Sequence, residues 1–232
     1  MANIGPKFDN RGIILALDAG NTKSYNPASA STEWRDAYGS GGNGQLRNAP
    51  TWSNKSFVFD GTNDHIDYTR SDLNGGSFAY SECTLYMWFK PVTTGYDKNG
   101  KRANLFTIED TLEISVGDNQ NGTSQMWYKA NGGSWDGSTT GVLTNGSWNM
   151  ITYVHTTTSR TLYVNAASVL TSTDTGGLGS GNSSYPYLNI MAKRRGRNSV
   201  TPGEMAKVKM FSQPHSTTEI QRRFKLREGR FK

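Results

Sequence analysis

Thr84-Leu85-Tyr86-Met87-Trp88-Phe89-Lys90, closed by Pro91, is the stretch on which the fold turns. Its large apolar side chains fall at odd and even positions alike. A strand alternates its side chains between two faces, so this one expects burial on both and a central place in its sheet. Pro91, which cannot donate to a ladder, ends it. Upstream, Ser56-Phe57-Val58-Phe59, the turn Asp60-Gly61-Thr62-Asn63-Asp64 and the alternating His65-Ile66-Asp67-Tyr68 read as a hairpin. Downstream, short runs recur at 105–108, 112–116, 125–128, 148–155, 161–164, 188–192 and 206–211, separated by Gly, Asn, Ser or Asp. They are rich in β-branched and aromatic residues, and no strand–helix–strand rhythm connects them. This is the pattern of an all-β sandwich or barrel.

The remaining segments fit around that frame. Ile13-Ile14-Leu15-Ala16-Leu17 reads as a buried strand ended by the turn Asp18-Ala19-Gly20-Asn21, and residues 22–54, rich in Ser, Gly, Asn and Ala, as long loops. Ser216-Thr217-Thr218-Glu219 has the spacing of a capping box, which predicts a short helix from there to about Leu226. Ile220, Phe224 and Leu226 are expected to face the sandwich, and Arg222, Arg223, Lys225 and Arg227 to face solvent. The organisation expected is an arm over residues 1–12, a jelly-roll domain over 13–215 and a C-terminal helix with a basic tail over 216–232.

Composition agrees with many turns. Hydrophobic residues make up 34% of the 232 positions while aromatics reach 11% and glycines number 26, so turn residues have displaced aliphatics rather than order. The start of the chain lacks a basic segment followed by an apolar run, so no secretory signal is expected. No stretch is apolar enough to span a bilayer. The single cysteine, Cys83, excludes an internal disulfide and fits a reducing compartment. Asn54, Asn121, Asn145 and Asn182 lie in glycosylation sequons but read as polar turn residues. Charge is uneven: residues 193–232 carry a net +9 within a chain of net +6, which leaves the rest at −3.

The ordered set of segments resembles laminin-G-like jelly rolls of the concanavalin A-like superfamily. Ser56 to Ile66 resembles the family's F-D-G hairpin, and Thr84 to Pro91 its strand of the form W-hydrophobic-K-P. Trp148 to Val154 followed by Leu162-Tyr163-Val164-Asn165 is similar to its W-x-hydrophobic and L-Y-V-N-G pair, and Gly203 to Phe211 with Thr217 to Phe224 to its closing strand and helix. Ala166 replaces the usual glycine after Asn165, implying a different turn, and Lys207 stands where the family often has an acidic residue. The resemblance implies a two-sheet antiparallel β-sandwich, a concanavalin A-like jelly roll, with one short C-terminal helix. Gly12 to Tyr25 and Gln221 to Lys232 look more particularly like jelly-roll structural proteins of tailed bacteriophages. That likeness implies a virion protein made in the host cytoplasm, placed in head decoration, neck or tail, with other virion proteins and host-surface glycans as partners and homo-oligomeric assembly left open.

Candidate sites follow, each beside a plainer reading. Trp127-Tyr128-Lys129-Ala130-Asn131-Gly132-Gly133-Ser134-Trp135 has the aromatic and amide composition of a sugar site, with Trp135 its foremost ring and Trp127, Tyr128 and Asn131 beside it; a loop tryptophan also caps sandwich edges. Asp60, Asn63, Asp64 and Asp67 offer clustered oxygens for Ca2+, as the resemblance suggests, yet such residues make ordinary turns too. No other cofactor is implied. The family's hydrolases place acidic residues alternately on a strand, and Glu109, Thr111 and Glu113 are the matching positions. As a strand, Glu109 and Glu113 would lie about 13 Å apart at about 3.3 Å per residue, with Thr111 where the middle carboxylate belongs. The expectation is therefore no enzyme, the cluster being an exposed face or hairpin turn. The basic tail, Arg222, Arg223, Lys225, Arg227 and Arg230, together with 193–197, is read as a docking surface for an acidic virion protein rather than for nucleic acid, against a merely solvated tail. A freestanding carbohydrate-binding lectin is the alternative function, and a glycoside hydrolase the third.

Overall fold

The computed structural model describes residues 11–29, 31–38, 42–69, 79–92, 102–118, 124–173, 177–179, 187–193, 199–228 and 230–231. Sixteen strands succeed one another among the described residues: β1 (Ile13–Asp18), β2 (Glu33–Arg35), β3 (Asn43–Arg47), β4 (Thr51–Ser53), β5 (Ser56–Asp60), β6 (His65–Thr69), β7 (Cys83–Pro91) and β8 (Ala103–Ile108). Then come β9 (Leu112–Asp118), β10 (Ser124–Ala130), β11 (Asp136–Gly137), β12 (Asn149–His155), β13 (Arg160–Val164), β14 (Ala167–Ser172), β15 (Tyr187–Ile190) and β16 (Pro202–Phe211), before the helix α1 (Thr217–Glu228). They form two antiparallel sheets. The back sheet runs β14-β13-β12-β7-β16-β5-β4, with β1 also on β16, and the front sheet runs β11-β10-β9-β8-β15-β6-β3-β2. The all-β jelly-roll sandwich with one C-terminal helix is thus the fold of the chain.

β7 lies between β12 and β16, as its two apolar faces require. Leu85, Met87 and Phe89 point into the sandwich beside Phe57, Ile66, Phe106 and Ile114. Tyr86 and Trp88 point the other way into a second apolar cluster with Met150, Phe211, Ile220 and Phe231. That cluster exists because α1 and the residues after it cover the outer face of the back sheet. Phe231 stacks on Trp88 with ring centroids 4.2 Å apart and leans on Trp148 at 5.1 Å.

Three local expectations need correction. Asp60 to Asp64 is not a hairpin turn: β5 pairs β4 and β16 in the back sheet, while β6 pairs β3 and β15 in the front. The turn is a corner that carries the chain from one sheet to the other, and alternating strands joined by a tight turn read the same in either case. Residues 22–54 hold the edge strands β2 and β4 and, beside β2, the strand β3, all of three to five residues and too short to show a period. Ala166 does not change its turn. Asn165 and Ala166 have φ of 51° and 66° between the paired Val164 and Ala167, the two-residue turn with both central residues left-handed that normally favours glycine.

The helix begins as its spacing predicts, with Glu219 N–H donating to Ser216 Oγ at 3.3 Å, and runs two residues beyond Leu226. The Glu219 carboxylate does not complete a capping box but pairs with Arg222 Nε at 2.7 Å and Arg223 Nε at 2.6 Å. Ile220, Arg223 and Phe224 form the inward stripe, the i, i+3, i+4 spacing of one helix face. Leu226 falls outside that stripe and is 43% exposed, whereas Arg223 is buried, its guanidinium 4.8 Å from the centre of the Phe211 ring.

Candidate functional site

Seven strands of the front sheet carry an unbroken polar row on the face away from the core. Cross-strand register aligns Glu33, Gln45, Asp67, Asn189, Thr107, Glu113 and Lys129. Side chains of one face line up across a sheet, so the row is a property of the register. A bulge at Leu105 sets Asn104 on the same face as Thr107, three residues on, where a regular strand would place them oppositely. Asn104 Nδ2 donates to Thr107 Oγ1 at 2.8 Å and to Glu113 Oε2 at 3.2 Å. Lys193 Nζ donates to both Glu113 oxygens at 2.8 and 2.9 Å, so this carboxylate is buried but neutralised.

At the β10–β11 end the face becomes aromatic. Trp127 pairs in register with Gly137 on β11 and Ser115 on β9. A Cβ on Gly137 would meet the Trp127 ring at 2.5 Å, and one on Gly117 would meet its Nε1 at 3.0 Å. The two missing side chains let the indole pack directly against these strands. Arg102 lies on its other side, its guanidinium carbon 4.2 Å from the Trp127 ring centre and 4.7 Å from that of Trp135. The result is a layered stack of indole, guanidinium and indole on the sheet, each cation–π contact contributing about 0.5–2 kcal/mol. Burial lowers the Arg102 pKa, and its Nε is sealed with no hydrogen-bond acceptor among the described residues. The Ser115 hydroxyl of the strand position paired with Trp127 is likewise buried with no partner among the described residues.

Of the sugar-site candidates, Trp127 and Trp135 thus belong to one constellation, while two need correction as direct ligand contacts. Tyr128 points into the core, its ring 5.4 Å from Tyr153, and burial pushes its hydroxyl up to about 12. Strand alternation after Trp127 dictates this. Asn131 is exposed, but its amide is spent on the fold: Nδ2 donates to Gly177 O at 2.6 Å and Oδ1 accepts from Gly179 N–H at 2.7 Å. Arg102 was not among the sequence candidates, because the strand beginning at Leu105 gave no reason to extend the outward alternation back to residue 102.

The acidic turn holds itself together. Asp60 Oδ1 accepts from Thr62 N–H at 2.7 Å and Asn63 N–H at 3.3 Å, and Asp64 Oδ2 accepts from Asp60 N–H at 3.2 Å. Burial raises both carboxyls, but the turn's N–H groups outweigh it for Asp60 and leave Asp64 above its ordinary value. Asp67 pairs instead with Arg47 Nε at 2.9 Å. Among the described residues no group of three or more His, Cys, Asp or Glu is placed to hold a metal. Glu109-Asp110-Thr111 is the hairpin turn between β8 and β9, with Asp110 at φ 59°, so Glu109 and Glu113 do not share a strand. The plainer reading of a hairpin turn describes this segment.

The basic tail also differs from a free docking surface. Arg223 is buried against α1's own sheet, Arg222 is held by Glu219, and Arg230 Nη1 reaches Asp18 Oδ1 at 2.6 Å. Lys225 is exposed. The side chain of Arg227, residues 194–197 and residues 1–10 of the arm lie outside the described residues. Among the described residues no helix is long and apolar enough to cross a membrane.

Residues 60–221 match the family described as the concanavalin A-like lectin/glucanases superfamily, and the chain belongs to it. Among solved structures it is similar to domain 4 of AbnA, a GH43 extracellular arabinanase from Geobacillus stearothermophilus, in complex with arabinotriose. The TM-score is 0.63 at 11% identity, over 90% of this chain and 97% of that one. Trypanosoma rangeli sialidase matches with TM-score 0.67 and 14% identity over 94% of this chain, which spans only 33% of the sialidase. The ligand binding domain of botulinum neurotoxin serotype D, in complex with N-acetylneuraminic acid, matches with TM-score 0.63 and 14% identity, over 93% of this chain and 51% of that one. At these identities the likeness is one of fold. A search of curated proteins found no match.

Proposed function

We propose that this chain is a non-enzymatic, glycan-binding jelly roll that a tailed phage displays on its virion, with host-surface glycans as ligands. The observation that carries the binding half is the stack of Trp127, Arg102 and Trp135 beside the polar row of the front sheet. Sugar recognition needs an apolar plane for the ring and fixed polar groups for its hydroxyls. Trp135 ends the stack and supplies the plane, and Lys129, two residues along β10 from Trp127 on the same face, is a partly exposed polar group beside it. The non-enzymatic half is supported by Lys193 neutralising Glu113 and by Glu109 lying in a turn, since retaining hydrolysis needs two paired carboxyls about 5–5.5 Å apart. The reading asks for no metal.

The virion half rests on the likeness of residues 12–25 and 221–232 to phage structural proteins. Among the described residues of the tail, Lys225 and Leu226 on the exposed side of α1 support an attachment surface there. The same internal use of Arg223 and Arg230 favours the second reading, a freestanding lectin. A glycan array probed with the wild-type chain and with Trp135→Ala tests the binding function. Binding weakened at least tenfold by the substitution supports it; binding indifferent to Trp135, or cleavage of a bound glycan, contradicts it. Mass spectrometry of purified particles then separates the two readings, the chain being stoichiometric in the first and missing in the second.

A further inference from the structure

Among the described residues, no counter-charge meets Arg102. Lysine and arginine heads that are partly taken out of water normally meet a carboxylate, as four on this molecule do: Arg47 on Asp67, Lys193 on Glu113, Lys207 and Arg230 on Asp18. Among the described residues Arg102 has no ion pair and no hydrogen-bond acceptor, only the two indole faces. Glu113 does not compensate it. Arg102 lies opposite Gly117, four residues along β9 from Glu113 and so about 13 Å away at about 3.3 Å per residue, and Glu113 is already paired with Lys193.

The surroundings hold this cation rather than merely tolerate it. Gly117 and Gly137 make room for Trp127, Trp127 supports one face of the guanidinium and Trp135 covers the other. A guanidinium clamped by its faces loses the freedom to turn away, and its in-plane terminal N–H groups remain the only direction in which it can be satisfied. That planar fork matches the two oxygens of a carboxylate or sulfate. Clamping removes much of the side-chain entropy that binding would otherwise cost.

We infer that the Arg102 stack selects anionic saccharides, the guanidinium fork taking a carboxylate or sulfate of a sugar whose ring packs on Trp135. This rests on the glycan-binding reading and narrows it to acidic sugars. Glycan-bound carboxylate and sulfate share the chemistry that the fork recognises.

The test is an array that prints uronic-acid, sialylated and sulfated oligosaccharides beside their neutral counterparts. It is probed with the full wild-type chain, Arg102→Gln and Arg102→Lys, each checked by thermal melting. Wild-type signal on acidic glycans is expected to exceed that on their neutral counterparts at least tenfold and to fall with added salt. Arg102→Gln is expected to erase the preference, and Arg102→Lys, which keeps charge but not the fork, to retain only part of it. Preference for carboxylated or for sulfated spots identifies which anion is read. Equal binding of acidic and neutral members, unchanged in Arg102→Gln, overturns the selectivity while leaving glycan binding intact. Absence of binding to every spot overturns both.

Discussion

Arg230 Nη1 stands 2.6 Å from Asp18 Oδ1, a contact across 212 residues that fastens the end of the chain to the end of its first strand. Lys207 Nζ holds the other oxygen at 2.8 Å, so one carboxylate serves two cations. The lysine at 207 that departs from the family's acidic habit therefore has a partner of its own. Burial pushes the Asp18 carboxyl up, but Lys207 and Arg230 together outweigh it and hold the group below its ordinary 3.8. Asp18→Asn is expected to destabilise the fold by about 3 kcal/mol at neutral pH, because Lys207 is buried and loses its carboxylate. A carboxyl with a depressed folded pKa stabilises above its unfolded value and loses that contribution as pH falls through the folded one. The urea midpoints of wild type and Asp18→Asn are thus expected to differ most near pH 6 and to converge below pH 3.8.

Phe231 against Trp88 and Trp148 gives a second expectation. Phe231→Ala removes a ring that is only 9% exposed and should cost about 3–5 kcal/mol, the range for phenylalanine-to-alanine changes in an apolar cluster. Tryptophan fluorescence should shift to the red as Trp88 becomes wet. An unshifted spectrum and an unchanged melting temperature would contradict the packing of the tail on the back sheet.

Much of this architecture was legible in the sequence and some was not, for identifiable reasons. The double-faced apolar pattern of Thr84 to Pro91 announces a central strand because burial on both faces leaves no alternation. The same pattern shows that something covers Tyr86 and Trp88, and Ile220 and Phe224 of the capped helix supply it. Sheet membership was not legible: β5 and β6 alternate correctly whether joined as a hairpin or around a corner, since period reports faces and not neighbours. The candidate site was half legible. Trp135 and Trp127 stand out by composition, but the residue between them, Arg102, comes from 25 positions before Trp127, and only the register of β8, β9 and β10 brings it there. Tyr128 was misplaced for want of a strand phase, and Arg223 because its charge masked its position on the inward stripe of α1.

The left-handed turns make a further test. Ala166 at φ 66° and Lys55 at φ 66° both occupy the second position of a two-residue turn, Lys55 between the paired Ser53 and Ser56. Left-handed backbone costs a residue with a Cβ about 1–2 kcal/mol, part of which glycine gives back as unfolded-state entropy. Lys55→Gly and Ala166→Gly are each expected to stabilise by about 0.5–1 kcal/mol, read as a rise in melting temperature. A fall for Lys55→Gly would contradict the turn assignment.

Gly137 tests the floor of the stack. A methyl there would stand 2.5 Å from the Trp127 ring, so Gly137→Ala must tilt the indole and should cost about 1–3 kcal/mol by overpacking. Near-ultraviolet circular dichroism is expected to change while the far-ultraviolet spectrum stays that of the sandwich. Glycan binding should weaken with it, through loss of alignment of Arg102 and Trp135.

The central claim is that the outer face of the front sheet, at its β10–β11 end, is a ligand site. It is tested most directly by a crystal structure of the chain soaked with its best array glycan. The account predicts a sugar ring on Trp135 with its anionic group at the Arg102 fork. A glycan seated instead at the Asp60–Asp64 corner or on the back sheet, with the stack left bare, would contradict it.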